Sequence, residues 1–207
     1  SKKVSSPCIV GFIDEKNGNL FNAAAVCEEG KIVKVYHKIL LPNYDVFDEN
    51  RYFENGSQIG DFKINVNGEN FECIVQICED LWEDNYDRKL SEEIVSMSPD
   101  LIINISASPY HKNRKNIRKD LIMKKFSDAK CSFIYCNLVG GQDELIFDGN
   151  SMVFDSDMNL IAEGKSFEED LVIVDMNSKP INNRNLDINS DIYNALTLGI
   201  KDYFSKT

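Results

Sequence analysis

Short, mostly apolar runs occupy the first forty positions: Cys8–Ile13, Asn22–Glu28 and Ile32–Lys38. Asn17-Gly18-Asn19 and Glu29-Gly30 separate them. Short apolar runs bounded by Gly/Asn turns predict three strands. From Ile39 to Gly60 the pattern becomes irregular, marked by Pro42, Asn43, Asn55 and Gly56. A loop this long in a compact domain is usually functional or disordered. Its aromatics, Tyr44, Phe47, Tyr52 and Phe53, argue against disorder, so it is a candidate substrate-facing wall.

From Phe71 the pattern becomes strand, helix, strand, helix, strand. Phe71–Ile77 leads to a helix near Asp87–Met97, in which Leu90, Ile94 and Met97 follow i, i+4, i+7. Leu101–Ile105 leads to a helix near Lys115–Lys130 with Ile117, Leu121, Phe126 and Ala129 on one face, and Ser132–Asn137 follows. This βαβαβ order implies α/β architecture with helices packed on a parallel sheet. Short strands are predicted at Ser151–Phe154, Leu160–Ala162 and Leu171–Asp175. Beyond Met176 a polar stretch with Pro180 and Asn182-Asn183-Arg184-Asn185 reads as a linker over 177–187. Ile188, Ile192, Ala195/Leu196 and Gly199/Ile200 then predict a final helix with nothing after it to pack against.

The chain has 207 residues, 43% hydrophobic and 28% charged, a globular composition with no run approaching the ~20 apolar residues of a membrane helix. Its N-terminus lacks the apolar core of a signal peptide. With 34 acidic and 23 basic residues the net charge is −11, a field that disfavours nucleic acid. The local basic run, Lys112, Arg114, Lys115, Arg118, Lys119, Lys124 and Lys125, reads as a solvated helix face from which one Arg could meet a carboxylate ligand. Six cysteines at 8, 27, 73, 78, 131 and 136 are scattered, and residues five apart on a strand face opposite ways. With two histidines, this gives reduced cytosolic thiols and no metal site.

Cys78 stands out because it closes a strand, where α/β folds build reactive sites, and is followed by Glu79-Asp80-Leu81-Trp82. The ordinary role of such a cysteine is packing, and that of Lys38 at a strand end is snorkelling. The two together carry more. A lysine beside a thiol stabilises the thiolate and can hold the oxyanion formed when an amide carbonyl is attacked. Ser108, in Asn104-Ile105-Ser106-Ala107-Ser108-Pro109-Tyr110, ends the next strand, so one sheet edge could gather all three. In a Cys–His dyad, His37 would point away from Lys38's face, whereas His111 stays open on spacing.

Four blocks, Lys38–Phe53 (KILLPNYDVFDENRYF), Gln76–Trp82 (QICEDLW), Asn104–Tyr110 and Asn137–Asp148 (NLVGGQDELIFD), resemble the glutaminase domain of glutamine-dependent NAD⁺ synthetases, a branch of the nitrilase (carbon–nitrogen hydrolase) superfamily. The resemblance implies a four-layer α-β-β-α sandwich lacking its N-terminal strands and helices. It divides the chain into a partial glutaminase domain at 1–176, the linker, and the opening helix of a synthetase domain at 188–207. It casts Cys78 as nucleophile and Lys38 as the oxyanion and proton-transfer group. Tyr44, Ser108, Arg114 and Glu79 become substrate-binding residues, an Arg fork suiting the α-carboxylate of L-glutamine and the Glu79 N–H serving as second oxyanion donor. ATP and Mg²⁺ belong to the synthetase domain, with no cofactor in this chain. A cytoplasmic homo-oligomer is implied, without nucleic acid or membrane partners. The family's general-base glutamate would precede Ser1, its ATP-binding loop would follow the last helix, and Asp45 replaces a common glycine. The alternatives are a free-standing nitrilase-type amidase and a catalytically silent fragment with an assembly role.

Overall fold

The structure is a computed structural model that describes residues 6–66, 68–182 and 187–206. The linker positions 183–186, residues 1–5 and residue 207 lie outside the described residues. The chain forms two compact units, the first running to Ile105 and the second starting at Ser106.

In the first unit, β1 (Cys8–Lys16), β2 (Asn19–Glu28) and β3 (Lys31–His37) form an antiparallel meander in that order. A second sheet holds β4 (Gly60–Val66), β5 (Glu69–Ile77) and β6 (Leu101–Ser106). β4 pairs antiparallel with β5, and β5 pairs parallel with β6 through the crossover helix α1 (Leu90–Met97). β4 is absent from the sequence reading, because its Phe62, Ile64 and Val66 alternate within a stretch otherwise rich in polar residues. β5 is buried on both faces from Cys73 to Ile77, as befits the central strand of a parallel pair.

The two sheets of this unit pack through small residues. Ala23 and Ala24 of β2 are fully buried, as is Tyr36 of β3. At Gly60 a methyl group would lie 2.5 Å from the Val75 carbonyl oxygen and 2.8 Å from the Tyr36 ring, so only hydrogen fits. The strand ends that carry Lys38 and Cys78 therefore belong to different sheets. The expectation of one common parallel-sheet edge is corrected for Lys38: it follows β3 of the meander, whereas Cys78 follows β5 of the parallel pair.

The second unit contains α2 (Arg114–Phe126), β7 (Ser132–Asn137), β8 (Val139–Gln142), β9 (Leu145–Asp148), β10 (Met152–Phe154), β11 (Leu160–Glu163) and α3 (Ile188–Lys206). β10 lies antiparallel between β7 and β11, and β8 and β9 form a separate hairpin. The buried face of α2 is Arg118, Ile122 and Phe126, not the predicted Ile117/Leu121 stripe, and Ile117 is exposed. Arg118 displaces that stripe, and its burial also corrects the reading of the basic run as a solvated face. No strand forms at Leu171–Asp175. The apolar run Leu171–Val174 is strand-like in composition, but Leu171 and Ile173 are 82% and 87% exposed.

α3 is not without a packing partner. Ala195 and Leu198 join Phe167 in a small core against Tyr110, Val139 and Ile146. Gly199 lets the helix approach Gly141 of the hairpin, where a methyl on Gly141 would stand 3.1 Å from the Gly199 Cα. Asp202 accepts the Gly141 N–H at 2.7 Å, and Asp191 accepts the Tyr110 hydroxyl at 2.9 Å. Ile188, Ile192, Leu196 and Ile200 remain on the open side.

Candidate active site

Lys38 follows β3 and is 1% exposed, a burial that an ammonium tolerates only with partners. Its Nζ donates to Glu49 Oε1 at 2.6 Å. The aromatic loop brings Glu49 there because it is tied back at both ends. The Gly56 N–H donates to the Lys38 carbonyl at 2.7 Å, and Asn55 Nδ2 donates to the Ile39 carbonyl at 2.7 Å. A methyl at Gly56 would fall 2.0 Å from the His37 carbonyl oxygen, so glycine is required where the loop returns. Asn22 of β2 adds a hydrogen bond to Glu49 Oε2 at 3.3 Å. No role for Glu49 is legible in the sequence, where it stands eleven residues after Lys38; the short turn Glu49–Arg51 carries it.

Cys78 opens the short 3-10 turn Cys78–Leu81 at the end of β5 and is half-buried among fully buried neighbours. Its φ is +41°, the left-handed region that a residue with a Cβ enters at a cost of about 1 kcal/mol. Strain of this kind at the first residue after a strand ends the ladder there and starts the 3-10 turn. Cys73, five residues earlier, is the opposite case. It lies buried in β5, with its thiol pushed up to about 11 by burial and by Asp100 and Glu72. All six cysteines are thiols.

The two residues after Cys78 are buried acids with different partners. Glu79 accepts hydroxyl hydrogen bonds from Tyr44 at 2.9 Å and Tyr86 at 3.0 Å. Burial raises its carboxyl, and the two tyrosines and the Lys38 charge oppose that rise. Asp80 accepts the Ile39 and Leu40 N–H groups at 3.1 and 2.9 Å, the Ile77 N–H at 2.9 Å and the Tyr36 hydroxyl at 2.7 Å. The result is a buried ammonium and three carboxylates surrounding the segments that carry Lys38 and Cys78, with Tyr44, 43% exposed, on the open side. Such an arrangement can hold a thiolate and an oxyanion in one place. Among the described residues no cluster of His, Cys, Asp and Glu is arranged to hold a metal ion.

Ser108 and Arg114 lie in the second unit. Ser108 is 2% exposed, and its Oγ accepts from Arg118 Nε at 3.3 Å while its N–H donates to Asn137 Oδ1 at 2.9 Å. Arg114 opens α2, its N–H donating to the His111 carbonyl at 2.9 Å. The charged residue that organises this region is Arg118, which the sequence reading passed over. Its guanidinium pairs with both oxygens of Asp148 at 2.8 and 2.9 Å and donates to the Ser108 and Pro109 carbonyls. His111 is exposed. His37 is committed elsewhere: it hydrogen-bonds Asp14 at 2.7 Å and stacks on Phe21 with ring centroids 4.0 Å apart. Beside it, Asp14, Lys34, Ser57 and Gln58 border a polar cavity of about 300 Å³ that neither Cys78 nor Lys38 lines.

A lysine–glutamate pair and a strained, strand-ending cysteine thus lie in one unit of a mixed α/β fold. Residues 1–183 match the carbon–nitrogen hydrolase family, and the chain belongs to it. It is 46% identical over 171 residues to the glutamine-dependent NAD(+) synthetase of Thermotoga maritima, covering 81% of this chain and 28% of that protein. Against the Acinetobacter baylyi glutamine-dependent NAD(+) synthetase it is 32% identical over 206 residues, covering 96% and 37%. The solved glutamine-dependent NAD+ synthetase from Acinetobacter baumannii, in complex with adenosine diphosphate, matches with a TM-score of 0.85 at 32% identity, covering 96% of this chain and 38% of that one. A carbon-nitrogen hydrolase from Helicobacter pylori shares the fold at a TM-score of 0.70 and 22% identity, covering 81% and 61%. The chain spans about a third of the length of the synthetases it matches. No helix among the described residues is long and apolar enough to cross a membrane.

Proposed function

We propose that this chain is the glutaminase part of a glutamine-dependent NAD⁺ synthetase, with a glutaminase domain at 1–176, a linker at 177–187 and the first helix of the synthetase domain at 188–207. The observation that carries the reading is the buried Lys38–Glu49 pair, 2.6 Å long, tied to the strand end that presents Cys78 at positive φ. A general base takes the thiol proton. The thiolate attacks the carboxamide carbon of L-glutamine. A C–S bond forms, and the oxyanion is held by the Lys38 ammonium and the Glu79 backbone N–H. The C–N bond then breaks, the nitrogen takes a proton and ammonia leaves. Water attacks the γ-glutamyl thioester, the C–S bond breaks, and glutamate is released.

Tyr44, Ser108, Arg114 and Glu79 are the residues we assign to glutamine. The ammonia serves an ATP- and Mg²⁺-dependent amidation of deamido-NAD⁺ in the synthetase domain, in a cytoplasmic homo-oligomer. The test is glutamate release from glutamine by the full-length protein that carries this chain. Cys78→Ala lowers turnover by about 10³-fold or more, and mass spectrometry of wild-type protein quenched in turnover finds a γ-glutamyl adduct on the Cys78 peptide. Undiminished turnover in Cys78→Ala rules the reading out.

A further inference from the structure

Lys38 and Cys78 come from different sheets, so something other than a hydrogen-bonded ladder must set their spacing. One side chain touches both segments. Asp80 Oδ1 accepts the N–H groups of Ile39 and Leu40, the two residues after Lys38, at 3.1 and 2.9 Å. Its Oδ2 accepts the N–H of Ile77, the residue before Cys78, at 2.9 Å, and the hydroxyl of Tyr36 in β3 at 2.7 Å. We propose that Asp80 is a positioning residue: its buried carboxylate clamps the chain after Lys38 to the chain before Cys78 and so sets the distance between ammonium and thiol. This rests on the glutaminase reading for its consequence in turnover, but its geometric claim stands apart from it.

The chemistry of the clamp is specific to a carboxylate. Four donors converge on two oxygens, and the group is 1% exposed. An ionised carboxylate is an acceptor at every lone pair and can take all four. Burial raises the Asp80 carboxyl, whereas the Leu40 and Ile77 N–H groups, the Tyr36 hydroxyl and the Lys38 charge act to keep it ionised. Tyr36 itself is held well above the ordinary phenol range, by burial first and then by Asp80, so its hydroxyl remains a donor. Because its oxygens are filled by these donors and its surface is closed, Asp80 acts through its neighbours and not on substrate. An asparagine of the same shape would aim an NH₂ group at the Ile77 N–H, donor against donor, and one side of the clamp would open.

The experiment separates positioning from charge by sign. Cys78 is alkylated with iodoacetamide across pH in the full-length protein and its modification followed by peptide mass spectrometry, beside steady-state glutamine hydrolysis. The charged and titratable groups around the clamp are Lys38, Glu49, Glu79, Tyr36, Tyr44, Tyr86 and, at longer range, Arg88. If Asp80 acted only as a nearby negative charge, Asp80→Asn would lower the alkylation midpoint, since a carboxylate disfavours a thiolate. If it positions Lys38, losing it moves the ammonium away, and the midpoint rises by about one unit. With the clamp open, kcat falls about 100-fold while KM stays within about threefold, the signature of a displaced catalytic group. Asp80→Glu keeps the charge, adds a methylene and gives the same upward shift.

A lowered midpoint, or a reduced melting temperature with kcat and midpoint unchanged, overturns the proposal. Should Asp80→Asn not fold, Tyr36→Phe removes one of the four donors and keeps the carboxylate. A kcat fall of about fivefold supports the clamp, and an unchanged kcat overturns it. The reading and the inference fail separately. Cys78→Ala that still hydrolyses glutamine removes the reading, while the alkylation midpoint, which needs no turnover, still reports the ammonium–thiol spacing. Dead Cys78→Ala beside normal Asp80 variants removes the inference alone.

Discussion

Both units bury charge, and they use it in opposite ways. In the second unit Arg118 is fully buried, its donors engaged by Asp148, by Ser108 Oγ and by two backbone carbonyls, with its guanidinium 5.9 Å from the Tyr135 ring. That network is closed on every side and ties the start of α2 to the end of β9. In the first unit Lys38, Glu79 and Asp80 are nearly as deep, Glu49 is half-buried, and the cluster ends at a half-buried Cys78 and a 43% exposed Tyr44. A closed network yields rigidity, whereas one with an open side can meet a ligand. The comparison assigns framework to the Arg118–Asp148 pair and the nucleophile to the first cluster.

The largest effect that sharpens this contrast lies in the closed network. Arg118→Met leaves Asp148 as a buried charge without its bidentate partner, and costs about 3–5 kcal/mol. Hydrogen exchange in β7 and β10 reads the loss. Adding Asp148→Asn recovers part of it, because the two changes share one interaction. A cost below about 1 kcal/mol for Arg118→Met would mean the network is not closed in solution.

The open network predicts a loss of rate instead. Glu49→Gln keeps an acceptor for the Lys38 Nζ but removes the opposite charge from a pair 2.6 Å long. A hydrogen bond to a charged group contributes about 1.5–3 kcal/mol, so kcat/KM for glutamine falls roughly 10- to 150-fold while the melting temperature changes little. If stability falls and rate does not, Glu49 belongs with the framework and the contrast between the units is lost.

What could be read in advance follows the same division. Short apolar runs between turn residues located β1 to β3 and β5, and they placed Lys38 and Cys78 at strand ends, because strand ends are where the runs stop. Asp80 and Arg118 were invisible to that logic, since a periodicity argument assigns charged residues to solvent and both are buried. The roles of Tyr44, Glu79, Ser108 and Arg114 came from resemblance, as no spacing singles them out. The apolar run at 171–174 also misled: a ladder needs a partner strand, and the chain instead turns, with the Ser178 N–H donating to the Asp175 carbonyl at 2.8 Å. β8 and β9 were missed because Gly140-Gly141 reads as loop. Their glycines serve the approach of α3, a long-range contact that local pattern does not encode.

The smallest expected effect tests whether the second unit supplies any chemistry through histidine. A thiol hydrolase built on a Cys–His dyad needs an imidazole with its ring nitrogen available to the sulfur. His37 is pinned to Asp14 and stacked on Phe21, leaving His111 as the remaining histidine. His111 is exposed, in the loop before α2, and a lysine-assisted mechanism makes no use of it. His111→Ala therefore leaves glutamine hydrolysis by the full-length protein within about tenfold of wild type, with the pH profile unchanged in shape. A loss of about 10³-fold would transfer the proton-accepting role to the second unit and end the division drawn between the two clusters.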